Sequence, residues 1–200
     1  MEETENIALF DMDSTLCDYD KAMKRDYNLI KSPEDPPYIS FGDVIKNTPH
    51  LKNRIKLIRN QPGWWKNLEK LKLGFDILEI ARKLGFEIHI LTKGPKSSPN
   101  SWTEKVEWVK ENVLDANITI TENKGLVYGK ILVDDYPIYI KQWLKSRPRG
   151  LVIMPVHEFN KNFQYQNMIP YNGTNLAQIE KAFNAVKKRK PNEVINYQNL

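Results

Sequence analysis

With 200 residues, 40% of them hydrophobic and 28% charged, the chain has the make-up of one globular domain with room for a small insert, which excludes wholesale disorder. A formal charge of +5 and a pI near 9.1 favour anionic ligands, whether nucleic acid, phosphorylated metabolites or a membrane surface. A single cysteine, Cys17, excludes an internal disulfide and a multi-cysteine zinc site. The acidic start Met1-Glu2-Glu3-Thr4-Glu5 lacks the features of a signal peptide and no segment approaches the length of a membrane span, so a cytoplasmic location is expected.

The apolar run Ile7-Ala8-Leu9-Phe10 reads as a buried strand and is followed at once by Asp11-Met12-Asp13-Ser14-Thr15-Leu16. Two carboxylates two residues apart can then be aimed at one point beyond the strand's carboxyl end, where open α/β sheets bind ligands. From about Cys17 to Gln61 there is no buried strand. Weak helical patterns over Asp20 to Leu29 and Leu51 to Arg59 flank the turn-rich Ser32-Pro33-Glu34-Asp35-Pro36-Pro37. This stretch reads as a small helical cap (18–61) inserted after the first strand of a core formed by 1–17 and 62–200.

Leu71, Phe75, Leu78 and Ala81 mark a helix closed by Gly85, which leads into a strand over Phe86 to Leu91. Ser101 and Glu104 are spaced as a capping box for a helix whose apolar stripe is Trp102, Val106, Val109 and Val113. Further strands are expected at Ile118 to Ile120, Ile131 to Val133 and Leu151 to Met154. Asn175 with Gln178 opens a last helix carrying Leu176, Ile179, Phe183 and Val186, and its basic end, Lys187-Lys188-Arg189-Lys190, reads as a solvated helix terminus. The alternation predicts an α/β fold with a parallel sheet flanked by helices.

Chemistry-bearing residues recur where these strands end. Thr92 and Lys93 follow the second strand, Lys124 the third and Asp134-Asp135 the fourth. Taken singly, each is compatible with a turn, a cap or a solvated side chain. Together they supply what phosphomonoester hydrolysis through an aspartyl nucleophile requires: an in-line carboxylate, an acid for the leaving alkoxide, cations for the phosphate oxygens and a divalent metal. Asp11 is the nucleophile candidate and Asp13 the acid-base candidate. Thr92, Lys93 and Lys124 are candidates for phosphate binding, and a bound Mg²⁺ would offset the repulsion within Asp134-Asp135. An EF-hand starting at Asp11 is excluded by Leu16 at its sixth position and Ala22 at its twelfth. His50, His89 and His157 lack a metal-pair spacing, and Cys17 is assigned no chemistry.

The D-x-D-x-T-L pattern after a strand is similar to the first signature of the haloacid dehalogenase (HAD) superfamily, and the four strand-end motifs resemble all four of its signatures in order. Within it, the chain resembles the 5'(3')-deoxyribonucleotidases from about Ile7 to the final helix. Phe10-Asp11-Met12-Asp13 with Asp18 and Tyr19 is similar to the family's D-M-D-G-V-L-A-D-F. Thr121-Glu122-Asn123-Lys124 through Val133-Asp134-Asp135-Tyr136-Pro137 matches its T-R-D-K to I-D-D-R-P block, Pro62-Gly63-Trp64-Trp65 resembles P-G-F-F, and Glu104-Lys105 with Trp108-Val109 echo its E-K and W-V.

The resemblance implies a Rossmann-like HAD core with a helical cap and a Mg²⁺ held by Asp11, the backbone oxygen of Asp13 and the Asp134-Asp135 pair, Asp135 being favoured as the direct ligand. It also implies an aromatic pocket for a nucleobase, with Tyr19 and Trp64 as candidates and Tyr38 and Phe41 as further ones. Ser14 stands where the family has Gly, Lys93-Gly94-Pro95 where it has a Ser-Pro turn, and Tyr136 where it has Arg, which leaves base, sugar and 5' against 3' preference open. The expected function is Mg²⁺-dependent dephosphorylation of nucleoside monophosphates, with deoxyribonucleoside monophosphates favoured. The alternatives are a HAD phosphatase acting on nucleic-acid 3'-phosphates or another phosphorylated metabolite, and a catalytically silent nucleotide-binding module. The expected partner is a small phosphomonoester; nucleic acid is not favoured and no membrane partner is expected.

Overall fold

The computed structural model describes residues 6–40, 47–190 and 192–197. Six parallel strands, β1 (Ile7–Phe10), β2 (Glu87–Thr92), β3 (Asn117–Ile120), β4 (Ile131–Val133), β5 (Leu151–Pro155) and β6 (Met168–Tyr171), form one sheet in the order β3-β2-β1-β4-β5-β6. Around it lie α1 (Tyr19–Ile30), α2 (Pro49–Arg59), α3 (Lys72–Lys83), α4 (Asn100–Asn112), α5 (Pro137–Ser146) and α6 (Leu176–Lys188). Phe10 stands opposite Ile90 of β2 and Val133 of β4, and Asp11 N donates to Val133 O at 2.8 Å. The connections therefore reverse direction between β1 and β4, which opens a crevice at the carboxyl ends of those two strands.

Strands β1, β4 and β5 are apolar throughout because successive side chains enter different cores. Ala8, Phe10, Ile131, Val133 and Ile153 join one buried cluster with residues of α1, α2, α3, α4 and α6. Leu9, Leu132, Val152 and Met154 point the other way, onto Ile140, Trp143 and Leu144 of α5. Burying side chains of this size contributes ~1.5–3 kcal/mol each, and the sheet needs both layers to gain it. The α1 and α2 pair lies between β1 and α3 in the chain, and its Tyr19, Met23, Tyr27, Leu51, Ile55 and Ile58 belong to the same cluster as Phe10. It is packed into the core rather than standing apart from it. No helix among the described residues is long and apolar enough to cross a membrane.

Two elements have no counterpart in the sequence reading, and two local expectations are corrected. Strand β6 has no counterpart in the sequence reading because Pro170 interrupts it; on an edge strand the missing N–H costs little. Helix α5 opens on Pro-Ile-Tyr-Ile, residues that favour extended chain, and becomes helical because Pro137 at its first turn is pre-set for helix while Ile140, Trp143 and Leu144 share one face. The Ser101-Glu104 capping box does not form. Pro99 occupies the N-cap position of α4 without a side-chain cap, Ser101 Oγ donates back to Ser98 O at 2.6 Å, and the Glu104 carboxylate accepts from the backbone of Gly63 and Trp65 at 2.8 and 3.0 Å. The phase of that helix also differs: Ser101, Glu104, Lys105, Trp108 and Val109 are buried, whereas Trp102 is 39% exposed. Finally, Asn175 precedes α6 as expected but turns its amide onto the Gln178 side chain at 2.9 Å without capping a backbone N–H. Gly85 does close α3, at φ 70°. Phe41 lies outside the described residues.

Helix α3 crosses the loop after β1 at Gly74, where a Cβ would meet Thr15 O at 1.9 Å and Leu16 Cα at 3.2 Å. Alanine improves helix propensity by ~1 kcal/mol over glycine. Here Gly74→Ala is nonetheless expected to destabilise the protein by about 1–3 kcal/mol, because backbone must move. Urea denaturation measures it, and an increased midpoint would remove this contact as a constraint on the loop.

Candidate active site

The loop after β1 is folded back on itself by one carbonyl. Met12 O accepts from the backbone N–H of Thr15, Leu16 and Cys17 at 3.3, 2.8 and 2.9 Å. Closing so tight a turn puts Ser14 at φ 55°, a left-handed conformation that costs a non-glycine residue ~1–2 kcal/mol. The position that departs from the family's glycine is thus the one where glycine would be free of strain. The Ser14 carbonyl is held from outside by His157 Nε2 at 2.6 Å, which makes that nitrogen the donor. Leu71 N to Leu16 O and Asp18 N to Glu69 O, each 2.8 Å, pin the loop's end, and Asp18 caps α1 through Lys21 N. Cys17 is fully buried and burial pushes its thiol well up, so it is inert.

Asp11, Asp134 and Asp135 are all buried and offer oxygens that lie within 4.8 Å of one another. Lys124, presented by a 3₁₀ turn (Lys124–Leu126) that Asn123 caps, places Nζ 2.8 Å from Asp11 Oδ1 and 2.6 Å from Asp134 Oδ2. Burial opposes its charge, but the two carboxylates override that and hold the ammonium above its ordinary range. Burial pushes Asp134 up to about 6 even with Lys124 beside it, and burial with Asp134 and Asp11 as neighbours drives Asp135 well above the usual carboxylate range. Three buried carboxylates facing one ammonium leave an uncompensated negative site built of oxygen donors, which fits a hard divalent cation. Asp134 has both oxygens engaged, Oδ2 by Lys124 and Oδ1 by Tyr136 N at 2.9 Å. Asp135 accepts only from Thr15 Oγ1, at 3.2 Å, among the described residues, and its backbone carbonyl is fixed by Asn160 Nδ2 at 2.8 Å.

Asp13 has a different environment. Its carboxylate lies outside that oxygen cluster and accepts at 2.6 Å from Lys105 Nζ, which also donates to Thr92 Oγ1 at 3.1 Å and Lys93 O at 2.8 Å. Burial raises Asp13, Lys105 pulls it back and Asp11 adds to the rise; the net shift is upward. Lys105 is fully buried, with its ammonium 4.8 Å above the Trp65 ring.

A cavity of about 460 Å³ opens over these groups. Of the residues singled out from sequence, Asp11, Asp13, Tyr19, Lys93 and Asp135 line it; Thr92 and Lys124 are buried behind the lining, and Asp134 beside Lys124. Trp65, not Trp64, lines it. Trp64 donates its indole N–H to Asp26 at 2.7 Å and faces another depression, because the two adjacent rings stand perpendicular. Tyr38 likewise lines a separate cavity with Asp20 and His157. Arg59, Lys105 and Tyr139 are site residues that the chemical reading of the sequence did not single out. For Lys105 the signal was at hand in the Glu104-Lys105 match to the family's E-K, to which no chemical role was attached, and in its place on the buried face of α4, which a search for apolar residues discards.

An Asp-x-Asp loop, a buried lysine and an Asp-Asp pair at the switch point of a doubly wound parallel sheet define a phosphatase of the HAD superfamily. Over residues 5–168 the chain matches the model of the family described as 5' nucleotidase, deoxy (pyrimidine), cytosolic type C protein, and it belongs to that family. It is similar to a 5'(3')-deoxyribonucleotidase from Clostridium acetobutylicum, 28% identical over 138 residues that cover 66% of this chain and 74% of the relative. Among solved structures, one assigned as a haloacid dehalogenase-like hydrolase from Burkholderia xenovorans superposes with a TM-score of 0.52 at 12% identity, covering 89% of this chain and 96% of that one. A dehalogenase gives 0.51 at 11% identity, covering 90% and 97%. These two likenesses show the fold.

The Glu104 carboxylate is the clamp that holds the Gly63-Trp64-Trp65 turn against α4. Glu104→Ala leaves two backbone N–H groups without their partner and is expected to cost about 1–3 kcal/mol of stability. It is also expected to shift the tryptophan emission, and denaturation followed by fluorescence measures both. An unchanged midpoint would show that the clamp is dispensable.

Proposed function

We propose that the protein is a Mg²⁺-dependent phosphomonoester hydrolase that dephosphorylates nucleoside, preferentially deoxyribonucleoside, monophosphates through an aspartyl-phosphate on Asp11. The observation that carries this reading is the separation of two carboxylates two residues apart. Asp11 shares Lys124 with Asp134, while Asp13, partly exposed in the cavity wall, is paired with Lys105 and raised. Environments that differ in this way suit one carboxylate to attack and the other to proton transfer.

In the proposed sequence Asp11 Oδ attacks phosphorus, the ester P–O bond breaks, and Asp13 gives its proton to the leaving alkoxide. Water then attacks the acyl phosphate, Asp13 takes the water's proton, and Asp11 is regenerated with release of inorganic phosphate. Lys124, Lys93 and Thr92 are proposed to hold phosphate oxygens, and Lys105 to position Asp13 and Thr92 together. Asp11, the Asp13 backbone oxygen and Asp135 would hold Mg²⁺, with Asp134 holding Lys124; the full engagement of both Asp134 oxygens supports that division. The metal would supply charge neutralisation at the transferring phosphoryl group. We assign residues 18–61 as a cap that closes the site and carries Tyr19, and Trp65 in place of Trp64 as part of the pocket wall.

A panel of nucleoside monophosphates, 3'-phosphorylated oligonucleotides and a small aryl phosphate, assayed with Mg²⁺ and after chelation, tests the reading. Turnover is expected on the monophosphates and is expected to vanish with EDTA. Asp11→Asn is expected to lose about 10³-fold or more while remaining folded. Retained turnover by that variant would sink the nucleophile assignment, and preference for the oligonucleotides would sink the substrate assignment.

Lys105→Met removes the cation that pulls Asp13 down, so the Asp13 pKa rises further. Both limbs of the kcat profile are then expected to move to higher pH, in addition to a lower maximum. A lower maximum with unmoved limbs would show that Lys105 does not act through Asp13.

A further inference from the structure

The cavity wall carries two cations, Arg59 and Lys96, that the chemistry above does not use. Arg59, at the end of α2, lines the cavity and is only partly exposed. Its Nε donates to Tyr19 Oη at 2.7 Å, Nη2 reaches the same oxygen, and the guanidinium lies 5.3 Å from the Tyr19 ring centroid. Tyr19 is no counter-ion, since burial pushes its phenol up to about 12 and it is neutral at physiological pH. Among the described residues no carboxylate lies within ion-pair distance of Arg59, and the carboxylate that acts on it from farther off, Asp13, is already paired with Lys105. The cavity's other cations are disposed differently. Lys96 pairs with Glu122 at 3.1 Å, and Lys93 extends from the loop that follows the phosphate-binding Thr92.

The backbone of Arg59 is held as well. The Arg59 carbonyl accepts from Trp65 Nε1 at 2.9 Å and from Ser98 Oγ at 2.8 Å, so two further segments of the pocket wall fix this residue's backbone. A guanidinium carried into a partly desolvated pocket with one neutral partner is costly unless an anion joins it. Its planar fork suits the two oxygens of a phosphate or carboxylate, and with Nε and Nη2 on Tyr19 its remaining N–H groups are available to an incoming acceptor.

We propose that Arg59 is a specificity-determining residue that binds a second anionic group on the substrate, distal to the ester being cleaved, so that the preferred substrates are nucleotides with two separated phosphates, such as nucleoside 3',5'-bisphosphates. The inference rests on the nucleotidase reading. It adds to that reading a requirement at the end of the substrate away from Asp11.

The test is steady-state kinetics of the full chain with Mg²⁺ on thymidine 5'-monophosphate, thymidine 3',5'-bisphosphate and an aryl phosphate, comparing wild type with Arg59→Gln and Arg59→Lys. The wild type is expected to show a kcat/KM about 10- to 100-fold higher on the bisphosphate than on the monophosphate, mostly through KM. Arg59→Gln is expected to erase that ratio and Arg59→Lys to restore part of it, with circular dichroism confirming that both variants fold. Equal wild-type kcat/KM on the two nucleotides, or a ratio that survives Arg59→Gln, overturns the proposal while leaving the nucleotidase reading intact. Turnover of the aryl phosphate with no turnover of either nucleotide overturns both.

Discussion

Lys124 Nζ, 2.8 Å from Asp11 and 2.6 Å from Asp134, joins the ends of β1 and β4 at the point where the sheet's connections reverse. Neither side of this arrangement is stable without the other. The three carboxylates there are buried and mutually repulsive, and the lysine is buried beyond the reach of bulk water. Removing one partner from such a group leaves a buried charge unmatched, at ~3–5 kcal/mol. Much of the surrounding structure serves to present that ammonium: Asn123 closes the 3₁₀ turn, Gln142 of α5 holds Asn123 at 2.9 Å, and the Tyr139 ring lies 4.7 Å from Nζ.

A second buried cation, Lys105, reaches the same loop from α4, and the partly exposed Arg59 reaches the cavity from α2. The pocket is therefore an assembly of elements far apart in the chain, and Glu104 and Trp65 are its internal joints. Glu104 holds the backbone of Gly63 and Trp65, while the Trp65 indole holds the Arg59 carbonyl. A shift of the 63–65 turn would displace α4 and the end of α2 together, and with them two of the three cations.

The sequence made much of this legible, and where it failed the reasons are physical. Strands buried on both faces announce themselves as short apolar runs, and the residues that follow β1, β2, β3 and β4 do converge. What escaped were elements whose burial is not written in apolar residues. Helix α4 turns Glu104 and Lys105 inward and leaves Trp102 half out, the reverse of a hydrophobic stripe. Strand β6 carries a proline and α5 begins with β-branched and aromatic residues. Choosing between Trp64 and Trp65 could not be settled by spacing, because neighbours in a turn point in directions that only the fold determines.

Pro170 has a consequence beyond its effect on strand recognition. Strand β6 is one rim of an otherwise continuous parallel sheet, and its outward backbone would invite a strand from another molecule. A proline near the middle of that rim, itself exposed, removes a donor and interrupts the row that an incoming strand would need. The residue that hides the strand from a reader of the sequence thus also hides it from other chains, protecting the enzyme against edge-to-edge aggregation.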